Sequence, residues 1–174
     1  MAVRGVFLDK DGTLVENVPY NVDPARIRLA PGAAEAVARI SAAGYRVIVV
    51  SNQPGVGLGF FAEHELERVQ RHLAALLPMT AFYYCPHAPQ AGCPCRKPQS
   101  GMLLQAAREH GVELAQSWMV GDILDDVEAG RRAGCRTVLV DNGNETEWQL
   151  NAAREPHAKV KGLLEAADLI CGAA

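Results

Sequence analysis

The residues best equipped for chemistry fall into two sets, one hard and one soft. Asp9 and Asp11 flank Lys10 in the run Asp9-Lys10-Asp11-Gly12-Thr13, and Asp122 follows Gly121 much later in the chain. Side chains two positions apart on an extended chain point to the same side, so just past a strand end Asp9 and Asp11 can address one ligand. With Asp122 beside them, carboxylates about 4 Å apart repel by roughly 4 kcal/mol at an effective dielectric near 20. A divalent cation resolves that conflict, and all-oxygen donors favour magnesium over zinc. The soft set is Cys85, His87, Cys93 and Cys95, three thiolates and an imidazole that suit tetrahedral zinc. It leaves no vacancy for a substrate, so its expected role is structural: zinc folds the loop that carries Arg96 and Lys97.

Each set also has an ordinary explanation. Asp-Gly is a common turn dipeptide, and Ser51 and Asn52 could serve as a cap or a loop hydrogen bond. The cysteines could be reduced thiols in a loop, although their dense spacing favours a metal. Cys135 and Cys171 are isolated and read as ordinary thiols, and His64, His72, His110 and His157 are given no functional role.

Something must hold these residues together. Five apolar runs, at residues 3–8, 46–50, 81–84, 118–120 and 137–140, alternate with amphipathic stretches. That alternation predicts an α/β fold with a parallel sheet and helices on both faces. Val47-Ile48-Val49-Val50 is apolar throughout, as a central covered strand should be. Helices are expected at residues 33–43, 63–77, 102–110 and 124–133, with Gly44, Gly111 and Gly134 as stops. Residues 10–30 and 85–99 are the two unusual connections, and 142–156 reads as a polar surface excursion before a short helix and Asp168-Leu169-Ile170. That tail is expected to close the sheet edge. In open parallel sheets, sites form beyond the carboxyl ends of strands. Asp9 to Thr13, Ser51-Asn52-Gln53, Arg96-Lys97-Pro98 and Gly121-Asp122 all follow such runs or their loops.

This ordered set (DKDGTL, SNQ, CRKP and GDILDD) resembles the haloacid dehalogenase superfamily of phosphohydrolases over roughly residues 3–140. The resemblance implies a Rossmann-like core in which Asp9 and Asp122 hold Mg2+ through their side chains and Asp11 through its backbone carbonyl. It implies that Asp9 attacks phosphorus to form an aspartyl-phosphate, while Asp11 protonates the leaving oxygen and then activates water. Lys97, the Ser51 hydroxyl and backbone N–H groups near Lys10 would stabilise the phosphoryl group. Asp126 would orient metal-bound water, with Asp125 the weaker candidate.

The zinc loop before CRKP, with YYCPHAP and KPQSGMLLQAA, resembles the branch of D-glycero-D-manno-heptose 1,7-bisphosphate phosphatases and histidinol-phosphate phosphatases. Those enzymes carry a minimal cap, and this chain has no insertion long enough for a cap domain. The expected substrate is the heptose bisphosphate, hydrolysed at its C7 phosphate for bacterial surface-polysaccharide precursors; histidinol phosphate is the alternative. Three features depart from the heptose pattern: Leu58 where an arginine is frequent, Ile123 where a lysine often follows the aspartate, and the short spacer 88–92 between His87 and Cys93. Arg96, Asn52 and Gln53 are the candidate substrate contacts, Arg96 because its planar fork can bind oxygen pairs.

Composition narrows the remaining classes. A length of 174 residues fits one domain spanning 1–174, and 49% hydrophobic against 21% charged residues supports a packed core. A net charge of -3 with 6% aromatic residues argues against a nucleic-acid partner. No apolar stretch is long enough for a membrane span, and the N-terminal run lacks a signal-peptide core, so a cytoplasmic monomer acting on a small phosphorylated metabolite is expected. A noncatalytic phosphometabolite-binding zinc protein would have no need of both Asp9 and Asp11.

Overall fold

The computed structural model describes residues 1–173. Six parallel strands form one sheet in the order β3-β2-β1-β4-β5-β6: β1 Gly5–Leu8, β2 Arg46–Asn52, β3 Ala81–Cys85, β4 Trp118–Gly121, β5 Arg136–Val140 and β6 Ala158–Val160. The helices are α1 Ala33–Ala42, α2 Glu63–Leu76, α3 Gly101–His110, α4 Leu124–Ala133 and α5 Leu163–Gly172. The strand pattern of period two sorts the core into two layers. Val6, Leu8, Val47, Val49, Trp118 and Val120 face one way, with α1, α2 and α5 over them. Phe7, Ile48, Val50 and Met119 face the other, under α3 and α4.

The register fixes where the polar strand ends meet. Leu8 lies beside both Val49 of β2 and Val120 of β4, so the residues after Leu8, Val50 and Val120 emerge together at the carboxyl edge. The order 3-2-1-4 reverses direction between β1 and β4, the switch point where doubly wound sheets leave a crevice. Asp9 and Asp122 stand on its two sides.

Two expectations differ from the structure. β2 is an interior strand buried on both faces, but β1 and β4 are the central pair. The sheet edge is closed by β6, which the lysine and the short length of Ala158-Lys159-Val160 disguise, whereas Asp168-Leu169-Ile170 belongs to α5. Among the described residues no second folded unit is inserted between the strands, in keeping with a minimal cap, and no helix is long and apolar enough to cross a membrane.

Candidate active site

Asp9 is the first residue beyond β1, tethered by its own N–H to Val120 O at 3.0 Å. The chain then turns sharply: the Lys10 carbonyl accepts from the N–H groups of Thr13, Leu14 and Val15 at 3.3, 2.9 and 3.0 Å. Gly12 sits inside that turn with φ +85°, and a Cβ there would lie 2.2 Å from Asp122 Oδ2. Only glycine permits both the left-handed conformation and the approach. Thr13 Oγ1 donates to Asp122 Oδ1 at 3.2 Å, tying the β1 turn to the β4 end.

Lys97 binds the opposite wall. Its Nζ donates to Asp9 Oδ1 at 2.7 Å, Asp126 Oδ1 at 2.7 Å and Val50 O at 2.9 Å, so all three donors of this buried ammonium are used. Asp126 in turn accepts from the N–H groups of Asp122 and Ile123 at 3.2 and 3.3 Å, bracing the start of α4. Asp126 therefore anchors Lys97 and the β4–α4 turn directly, a connection not evident from its spacing alone. Asp125 faces away, paired with Arg154 at 3.1 Å.

Carboxylate oxygens of Asp9, Asp122 and Asp126 all lie within 4.8 Å of one another. Burial first, then the negative charge of Asp126, pushes the Asp9 carboxyl up to about 6 despite Lys97. Burial and Asp9 push Asp122 up to about 7 despite donors from Asn144 and Thr13. Burial works against the Lys97 charge, but Asp126 and Asp9 more than offset it and hold the ammonium above the usual lysine range. The cleft is thus short of positive charge between Asp9 and Asp122, and its donors there are hard oxygens, which fits a magnesium ion.

The other expected residues divide. Asp11 lines the cleft, with Lys10 Nζ at 3.0 Å and Gln53 Nε2 donating at 3.0 Å. Its side chain stands outside the trio of close carboxylates. Ser51 is buried and accepts from Gln53 Nε2 at 2.7 Å. Asn52 lines the cleft and clasps the Lys97 backbone through two bonds of 3.0 Å. Arg96 is not brought to the carboxylates: it lines a separate cleft with Pro89, Cys93, Pro98 and Gln99. Lys97 points inward and its chain neighbour points elsewhere. Asn17, Ile123 and Asn144 also line the catalytic cleft. Asn144 lay beyond a fifth strand end, β5, where the comparison of strand ends would have found it.

The four soft donors do converge. Cys85 Sγ lies 3.4 Å from His87 Nδ1 and 3.5 Å from Cys93 Sγ; Cys95 Sγ lies 3.2 Å from His87 Nδ1 and 3.5 Å from Cys93 Sγ. Tetrahedral zinc with sulfur at about 2.3 Å separates its ligands by about 3.5–3.8 Å, so the set is a nearly closed cage of the right size. Burial pushes the Cys85 thiol up to about 12. Burial raises Cys93 too, but hydrogen bonds from the Arg96 backbone and neighbouring thiols outweigh it and bring Cys93 down to about 6. The loop is held closely at both ends. Gly57 N donates to Pro86 O at 2.8 Å, and a Cβ on Gly101 would meet Pro94 O at 2.3 Å.

This topology and this carboxylate cleft define an α/β protein with a hard-cation site at the switch point of its sheet. A family model described as HAD-hydrolase-like matches residues 94–166. The D-glycero-beta-D-manno-heptose-1,7-bisphosphate 7-phosphatase of Pseudomonas aeruginosa PAO1 is 38% identical over 144 residues, covering 79% of this chain and 81% of that one. The same-named protein of Escherichia coli K12 is 32% identical over 181 aligned positions, covering 92% and 95%. The crystal structure of D,D-heptose 1,7-bisphosphate phosphatase from B. bronchiseptica, complexed with magnesium and phosphate, superposes with TM-score 0.86 at 30% identity and covers all of both chains. The chain belongs to the haloacid dehalogenase superfamily of phosphatases, in the family of the D-glycero-D-manno-heptose-1,7-bisphosphate 7-phosphatases.

Proposed function

We propose that the protein is a magnesium-dependent phosphatase that removes the C7 phosphate of D-glycero-D-manno-heptose 1,7-bisphosphate by way of an aspartyl-phosphate on Asp9. The observation that carries this reading is the Asp9 carboxylate at the floor of the cleft, with buried Lys97 on one oxygen and Asp122 beside it. Asp9, Asp122 and the Asp11 carbonyl would hold the cation, which would supply positive charge to the phosphoryl oxygens. An Asp9 oxygen attacks phosphorus, the ester P–O bond breaks, and Asp11 gives its proton to the departing sugar oxygen. Asp11 then takes a proton from water as that water attacks the acyl phosphate, and Asp9 returns as carboxylate with inorganic phosphate released. Lys97 neutralises charge throughout, and Gln53 keeps Asp11 turned toward the cleft.

Zinc in the Cys85, His87, Cys93 and Cys95 cage would fix the loop whose end presents Lys97. Its contribution is the fold of that loop, since no coordination position is left for a reactant.

One observation favours histidinol phosphate as a second reading. Beyond Asp11 the cleft continues along Asn17, Pro19, Tyr20 and Pro54, with no cation on that wall. Tyr20 meets Phe60 edge-on at 4.8 Å there. Such a wall suits an uncharged ring better than a second phosphate. Phosphate release from the heptose bisphosphate anomers and from histidinol phosphate, compared as kcat/KM, tests the proposal. A higher value for either heptose anomer supports it, and a higher value for histidinol phosphate replaces it.

A further inference from the structure

The chain leaves β5 at Val140 and runs through Asp141-Asn142-Gly143-Asn144-Glu145 along the edge of the sheet that carries Asp9 and Asp122. Three side chains of this stretch grip three parts of the carboxylate site. Asn142 Nδ2 donates to Gly12 O at 2.7 Å, inside the turn that follows Asp9. Asn144 Nδ2 donates to Asp122 Oδ2 at 2.8 Å and to Gly12 O at 3.4 Å. Glu145 Oε2 accepts from Leu124 N at 2.7 Å, occupying an N–H at the start of α4, two residues beyond Asp122. The far end of the excursion is fastened as well, by Arg154 to Asp125 and Glu128 at 3.1 and 2.7 Å and by the Thr137 N–H to His157 Nδ1 at 3.0 Å. A segment belonging to neither wall therefore ties the two walls of the cleft together.

We infer that Asn144 is a positioning residue for the divalent cation, acting through Asp122; the inference rests on the proposed reading of the cleft as a magnesium-dependent phosphatase site. An ionised carboxylate has two oxygens and about four acceptor sites. Thr13 Oγ1 occupies one on Oδ1 and Asn144 Nδ2 one on Oδ2. With a donor on each oxygen the group is restrained about its last torsion, and its carboxylate stays within 4.8 Å of that of Asp9. A neutral amide does this without adding a positive charge that would compete with the cation. Removing it leaves a single donor, and the carboxylate gains freedom that cation binding must then take away. Partners of this kind are worth about 10–100-fold in metal affinity.

The test uses the full chain stripped of divalent cation at the oxygen site, titrated calorimetrically with magnesium chloride alone. Wild type is compared with Asn144→Ala and with Asn144→Leu, which keeps the volume but not the donor. Both variants are expected to melt with wild type in the absence of magnesium, because Asn144 is exposed. Both should bind magnesium about 10-fold more weakly, and raise the magnesium concentration for half-maximal phosphate release by the same factor. Magnesium affinities within about twofold of wild type in both variants would overturn the inference while leaving the phosphatase reading intact. A wild type that binds no magnesium at millimolar concentration would remove the inference and the reading together.

Discussion

Asp9 accepts from Lys97 at 2.7 Å and lines the cleft, its carboxylate within 4.8 Å of that of Asp122. Asp9→Asn preserves the volume but not the proposed nucleophile, so phosphate release should fall by at least about 1,000-fold in a variant that still folds cooperatively. Turnover within tenfold of wild type in purified Asp9→Asn would place the nucleophile elsewhere. The titration of the site makes a separate prediction. In the magnesium-free fold the carboxyls of Asp9 and Asp122 are raised to about 6 and about 7 from 3.8. The folded state therefore holds protons that the unfolded chain releases, a stabilisation fully present below about pH 4 and lost as pH rises through 6 and 7. Magnesium-free protein should melt at a lower temperature at pH 8 than at pH 5.5, by thermal denaturation, and added magnesium should raise the pH 8 value most. A melting temperature independent of pH and magnesium would contradict that picture of the cleft.

The short connections carry the site, and they fail in characteristic ways. In the turn after β1, Gly12→Ala would put a methyl 2.2 Å from Asp122 Oδ2 at a φ of +85°. The left-handed conformation costs about 1–2 kcal/mol by itself, and the clash displaces Asp122. Magnesium affinity and turnover should both fall more than about 10-fold, read by calorimetry and phosphate release. In the loop between β3 and α3, removal of zinc should expose residues 85–97 to hydrogen exchange and lower activity even with magnesium restored, because Asn52 clasps the backbone of Lys97 at its end. Full activity in protein shown by metal analysis to lack zinc would uncouple the two sites. Both loops were legible as loops because their residue types are extreme: clustered Cys and Pro in one, Asp-Gly in the other. β6 was not, since three residues with an exposed lysine carry no period, and pairing with β5 supplies what propensity does not. Arg96 could not be aimed from its position beside Lys97. Chain neighbours diverge, and only the path of the cysteine loop decides which of them faces the carboxylates.

At the scale of the molecule, alternating apolar runs and strand-end chemistry together specify the parallel sheet and the edge where the site lies. Parallel order follows from the alternation, and the site follows from the rule that polar residues gather where strand direction reverses. What the sequence pattern could not supply is the long-range tie between segments: Asn144 on Asp122 depends on register across β1, β4 and β5, and Lys97 bridging Asp9 and Asp126 depends on the path of the loop after β3. Among the described residues no separate cap covers the cleft, whose rim includes Tyr20 and Asn17. Phosphate release from D-glycero-D-manno-heptose 1,7-bisphosphate by the purified protein, with and without magnesium, tests the proposed chemistry of the cleft. Magnesium-dependent loss of the C7 phosphate alone is expected, leaving the 1-phosphate on the sugar. No release, or release unaffected by removing magnesium, would contradict it.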